Sequence, residues 1–107
     1  MADRTREVVW TAAALACLEE VLEYIAQDAP LTAGRVLEVF DANAASLADL
    51  AARGRVVPEL REPTIREIFV YRYRLIYQLA STQVRILAVI PGEMDYRGWL
   101  KRQSEGT

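Results

Sequence analysis

Glu59, Arg66, Glu67, Arg74, Tyr96 and Arg97 are the residues of this chain whose types and order suit work on a phosphate ester. A carboxylate among arginines can draw the proton from an RNA 2′-hydroxyl while a guanidinium takes up transition-state charge. If the chain cleaves RNA, Glu59, Arg66, Arg74 and Tyr96 are the catalytic candidates. An aromatic beside a cation, as in Tyr96-Arg97, can stack on a base and hold a phosphate. The competing reading is structural: Glu–Arg pairs more often tie a fold together than catalyse. The 107 residues include no histidine, which removes Ser-His-Asp and Cys-His chemistry. Cys17 is the single cysteine and falls in a helical pattern, so it reads as a packing residue. With no Cys/His cluster to hold a metal, no cofactor is expected.

A second constellation comes from strand alternation. Tyr73–Ala80 and Gln83–Ile90 read as a hairpin closed by Ser81-Thr82. A two-residue turn sets Gln78 against Arg85, Ile76 against Leu87 and Arg74 against Val89. Side chains alternate across a strand, so Arg74, Ile76, Gln78, Arg85, Leu87 and Val89 share one face. Tyr73, Leu75, Tyr77, Leu79, Val84, Ile86 and Ala88 share the other, which is the better core face. Arginines interleaved with aliphatics suit a partner that is acidic and has apolar anchors. These six residues, with Arg97, are the expected partner- or target-binding set.

The elements that position these groups follow from period. Val8-Val9-Trp10 is β-like, and Thr11 suits a helix N-cap. Leu15, Leu18, Leu22 and Ile25 recur at helical spacing until Asp28-Ala29-Pro30 stops the helix. Val36, Phe40, Ala44, Leu47 and Leu50 make a second apolar stripe, with Arg53-Gly54 as its expected left-handed C-cap. Arg55–Thr64 reads as loop, Ile65–Tyr71 as a strand before the hairpin, and Tyr96–Arg102 as a last helical turn. The result is an α+β fold of order β-α-α-β-β-β, a helical hairpin packed on one face of a small antiparallel sheet. Leu15, Leu18, Leu22, Phe40, Leu47, Leu75, Tyr77 and Ile86 are the expected core.

Residues 1–107 form one expected domain, with a core over about 6–102 and a flexible tail at 103–107. No apolar run reaches the roughly 18–20 residues of a membrane span, and no signal-peptide pattern follows Met1, so the chain reads as cytoplasmic. Net charge is −2 but lopsided: Met1–Ala52 has three basic and nine acidic residues, Arg53–Thr107 ten and six. Such asymmetry suits a binding face for an acidic partner.

Four segments in order resemble the RelE/ParE toxin superfamily. They are Gly54-Arg55-Val56-Val57-Pro58-Glu59-Leu60, Arg66-Glu67-Ile68, Tyr73-Arg74-Leu75-Ile76-Tyr77 and Val84-Arg85-Ile86-Leu87-Ala88-Val89. Tyr24-Ile25 near the end of the first helix matches as well, and the resemblance spans Val8 to about Asp95. It implies a type II toxin–antitoxin system, in which a cognate antitoxin wraps and neutralises the toxin. It also implies one of two activities: RelE-like, metal-independent cleavage of ribosome-bound mRNA, or ParE-like inhibition of DNA gyrase by binding. Many members follow the last strand with a His-Gly-basic-basic segment. Here that stretch is Pro91-Gly92-Glu93-Met94-Asp95, which has no imidazole proton and repels phosphate. The expectation is therefore a ParE-like, non-enzymatic gyrase inhibitor. The alternatives are an mRNA interferase and a toxin fold with lost activity. A homodimer or a toxin–antitoxin hetero-oligomer is the expected assembly.

Overall fold

A computed structural model describes residues 5–105. The order is β1 (Glu7–Trp10), α1 (Ala12–Ala26), α2 (Pro30–Ser46), β2 (Arg55–Val56), β3 (Ile65–Val70), β4 (Tyr73–Leu79), β5 (Gln83–Pro91) and α3 (Tyr96–Glu105). The five strands form one sheet in the order β1-β5-β4-β3-β2. The α+β class and the helical hairpin on the sheet are as the sequence implies, but the sheet is mixed. β1 runs parallel to β5, pairing Val8 with Val84 and Trp10 with Ile86, while every other pairing is antiparallel. The α1–α2 hairpin carries the chain across the sheet, so β1 can join the free side of the last strand. β2 is a two-residue strand inside the expected loop.

Helix α1 starts where Thr11 accepts a hydrogen bond from the Ala14 amide at 3.2 Å; its own hydroxyl donates to the Ile86 carbonyl at 2.7 Å. That pair of bonds caps the helix and ties it to β5. Pro30, which cannot extend α1, is tolerated in the first turn of α2, where an amide would be unpaired anyway. α1 buries Ala14, Cys17, Leu18 and Val21. The helix is therefore rotated from the expected stripe: Leu22 is half-buried and Leu15 is 47% exposed. Small side chains at 14 and 17 let α1 settle onto β5, and Leu15 and Leu22 turn outward. The other expected core residues, Leu18, Phe40, Leu47, Leu75, Tyr77 and Ile86, are buried.

Two further expectations are corrected. α2 ends at Ser46, and no described glycine has a positive φ, so Gly54 is not a helix cap. Its value is its missing side chain. A Cβ there would lie 2.5 Å from the Tyr77 hydroxyl and 2.6 Å from the Glu67 carbonyl oxygen. The Gly54 amide donates to the Tyr77 hydroxyl at 3.0 Å, which in turn donates to the Ala51 carbonyl at 2.7 Å. α3 is longer than one turn and reaches Glu105, so residues 103–105 are helical; Gly106 and Thr107 of the expected tail lie outside the described residues. No described helix is long and apolar enough to cross a membrane.

Phe40 is fully buried, with its ring 6.0 Å from that of Tyr73 on the sheet. Phe40→Ala should cost about 3–5 kcal/mol of unfolding free energy, whereas Leu15→Ala should change it by no more than about 1 kcal/mol. Urea denaturation of the two variants checks the rotation of α1: equal losses would mean that Leu15 is a core residue.

Candidate functional site

The register of the sheet decides which candidates meet. Across β4 and β5, Gln78 pairs with Arg85 and Tyr77 with Ile86, as the short turn requires. A β-bulge then intervenes: Ile76 pairs with Ala88, Leu75 with Val89 and Arg74 with Ile90, leaving Leu87 as the extra residue. Beyond the bulge every residue of β5 changes sides. Val89 pairs with Leu75 and is buried on the face that carries the helical hairpin. On the far face Glu67, Phe69, Arg74, Ile76, Gln78 and Arg85 share a side with Arg55, since β3 pairs Glu67 with Ile76 and β2 pairs Arg55 with Glu67.

That far face has two parts. One is closed, with Arg74 4% exposed and Ile76 fully buried, beside buried Ala88 and Ile90. The Glu59 segment and the approach to α3 cover it, and Arg74 is the reason. Its Nε donates to Glu67 Oε1 at 2.6 Å. Its Nη1 and Nη2 grip both oxygens of Glu59 at 2.7 and 2.8 Å, and Nη1 also donates to the Met94 carbonyl at 2.7 Å. Glu59 Oε2 accepts the Tyr96 amide at 2.8 Å, at the first residue of α3. Arg55 Nε donates to the other oxygen of Glu67 at 2.7 Å. Two carboxylates and two guanidiniums thus interlock around one buried fork.

The environment sets the charges. Hydrogen bonding from Arg74 holds the Glu59 carboxyl down at about 2 despite its partial burial. The same bonds push the Arg74 guanidinium further above its ordinary value. Burial pushes the Tyr96 phenol up to about 12. Its ring is stacked on Trp99, with centroids 5.8 Å apart. Cys17 is buried and desolvation raises its thiol, as suits a packing residue.

The four nuclease candidates therefore do not form one open site. Glu59 and Arg74 bind each other and Tyr96 is buried. Arg66 pairs across the sheet with Tyr77, on the opposite face of β3 from Glu67, and donates to the Pro63 and Gly54 carbonyls. Of the expected partner set, Arg74, Ile76 and Val89 are buried in the chain itself. Arg85 is exposed and Gln78 half-buried at the open end of the far face, Leu87 is half-buried at the bulge and packed against the core, and Arg97 is exposed on α3. One exposed feature had no prominence in the sequence. Phe69 is 51% exposed, and the Arg55 guanidinium lies 5.4 Å from its ring centroid. The β3–β4 pairing sets Phe69 beside Arg74, and the β2–β3 pairing brings Arg55 over it.

A mixed five-stranded sheet beneath a helical hairpin, with the Gly54–Leu60 and Arg66–Ile68 segments joined at Arg74, defines a toxin of the RelE/ParE superfamily. Within it, the chain belongs to the ParE toxin family of type II toxin–antitoxin systems (parDE), whose model matches residues 8–96. It is 38% identical over 84 residues to Toxin RelE2 of Caulobacter vibrioides, covering 78% of this chain and 91% of the relative. Its fold is similar to a structure of the chromosomal ParDE system from P. aeruginosa, with a TM-score of 0.70 at 17% identity over 83% of this chain and 98% of that one. It is also similar to the RelBE2 toxin–antitoxin complex from Mycobacterium tuberculosis, with a TM-score of 0.54 at 22% identity over 82% and 92%.

Removing one partner of a buried ion pair strands the other charge. Arg74→Ala should therefore cost about 3–5 kcal/mol, and Arg74→Lys should recover little, because an ammonium cannot fork onto Glu59. Glu59 has a depressed folded-state pKa, so the stability it supplies is full above pH 4.5 and is lost as pH falls toward about 2. Acid titrations of unfolding free energy should show a shallower loss across that window in Glu59→Gln than in the parent. Identical slopes would mean that Glu59 is not held by Arg74 in solution.

Proposed function

We propose that this toxin acts by binding rather than by cleaving, and that its target is DNA gyrase. The observation that carries this reading is the Arg74 fork. Glu59, Glu67 and the Met94 carbonyl engage the arginine that would otherwise stabilise a phosphate. Glu59, the candidate base, is held at about 2, far from the pKa near neutrality that proton transfer favours. Pro91, Glu93 and Met94 stand where the superfamily resemblance calls for His and basic residues. On this proposal the toxin works in the cytoplasm and is neutralised by a cognate antitoxin.

The open end of the far face suits that antitoxin. Arg85 and Gln78 offer polar contacts there, half-buried Leu87 follows at the bulge, and an extended acidic segment with aliphatic anchors would complement these residues. The name of the Caulobacter relative supports the second reading, ribosome-dependent mRNA cleavage, so the test must separate the two.

Purified toxin is expected to inhibit gyrase supercoiling at micromolar concentration and to leave ribosome-bound mRNA intact. Codon-specific cuts with supercoiling untouched would replace this reading with the interferase. In antitoxin binding, Arg85→Glu should slow association, and Leu87→Asp should raise the dissociation constant by more than about tenfold. Wild-type kinetics in both folded variants would place the antitoxin elsewhere.

A further inference from the structure

The helical layer has an order that the target and antitoxin readings do not use. On one side of α1, Cys17, Glu20, Val21 and Tyr24 line a cleft of about 400 Å³ with Trp99 and Arg102 of α3. On the other side, Leu22, Glu23 and Ala26 line a groove of about 290 Å³ with Ala33, Gly34 and Leu37 of α2. α1 is therefore the middle helix of three.

The two ends of this layer are chemically opposite. The α1–α2 groove has an apolar floor that includes Leu37, 36% exposed, and the same two helices expose Leu15 and Leu31 at 47% and 82%. Gly34 leaves open space where a Cβ would stand, which allows another helix to approach closely. Glu23 lines the groove, and Glu19, Glu38 and Asp41 stand one helical turn from Glu23, Gly34 and Leu37; all four are exposed and none is in an ion pair among the described residues. Arg35 is the single cation of α1 and α2. On α3 the exposed stripe is Arg97, Leu100 and Lys101, two cations around a leucine 38% exposed, at the i, i+3, i+4 spacing that aligns side chains on one helix face. Neither cation is in an ion pair among the described residues.

An acidic element and a basic element on opposite sides of α1 can each meet the other in a second copy turned by half a revolution. We propose that the outer face of the helical layer is a self-association surface. Two copies of this chain pair about a twofold axis, each laying the α3 stripe of one into the α1–α2 groove of the other. Leu100 seats on the floor beside Gly34 and Leu37, while Arg97 and Lys101 meet the carboxylate rim. Apolar side chains that would otherwise face water are covered, and the charges set the orientation.

Sedimentation velocity on the full chain alone, from low to high micromolar concentration, is the test. The expected result is a monomer–dimer equilibrium that weakens as salt rises. Glu19→Lys with Glu23→Lys, and separately Arg97→Glu with Lys101→Glu, should each weaken the dimer by at least about tenfold. All four side chains are exposed, so circular dichroism should show both variants folded. Mixed in equal amounts, the two variants should re-form a heterodimer, since a twofold contact then pairs opposite charges at both ends. A monomer at every concentration overturns the proposal. So does a dimer that neither variant weakens, or a mixture that stays monomeric. A monomer whose groove variant loses antitoxin binding would instead assign the groove to the antitoxin.

Discussion

The buried guanidinium of Arg74 is the point on which the sheet, the Glu59 segment and the start of α3 all depend. It sits on β4, and through Glu67 it fixes β3 and, one bond further, Arg55 of β2. Through Glu59 and the Met94 carbonyl it fixes two stretches of chain that have no strand partner of their own. An apolar side chain could fill this volume, and buried ion pairs are seldom the cheapest way to stabilise a fold. What the fork adds is geometry. Bidentate contact with a carboxylate has few solutions, so Glu59 can occupy one place, and the Tyr96 amide bonded to it is placed in turn. Every partner is a full hydrogen-bonding group, and no buried side-chain polar atom among the described residues lacks one.

The same network reorganises the surface. Closing over Arg74 and Ile76 shortens the far face, so what remains open is its end at Gln78 and Arg85 and the Arg55–Phe69 pair. Anchoring α3 by its first residue also completes the three-helix layer. The chain thereby separates its charges. Carboxylates dominate α1 and α2, and cations dominate the strands and α3. Glu59 and Glu67 are paired with Arg74 and Arg55, so the interlock takes up two charges of each sign and leaves the excess of cations in that half for the surface. A small protein of net charge −2 can then present surfaces of opposite sign to different partners.

Much of this was legible in the chain itself. Alternation and helical spacing gave the strands β1, β3, β4 and β5 and the helices α1 and α2, because half-buried elements must carry their apolar side at a fixed period. The Thr11 cap and the Pro30 boundary were legible because each acts through its own backbone neighbourhood. The hairpin register was legible as far as Ile86, where the turn fixes it. The ordered segments around Glu59, Glu67 and Arg74 sufficed to point to the superfamily.

The tertiary structure decided what depends on elements distant in the chain. Nothing local distinguishes Leu15 from Leu18; the rotation of α1 follows from small residues packing on β5. Gly54 has the composition of a helix cap, and only the approach of Tyr77 and the Glu67 backbone makes its missing Cβ necessary. The bulge at Leu87 moves Val89 to the core and sets Arg74 opposite Ile90, which no period-2 reading foresees. Sequence alone placed carboxylates and arginines within reach of one another. Whether they formed an open reactive site or a closed strut was set by the Glu59 segment and α3 folding over the sheet, a long-range event with no signature in any short window.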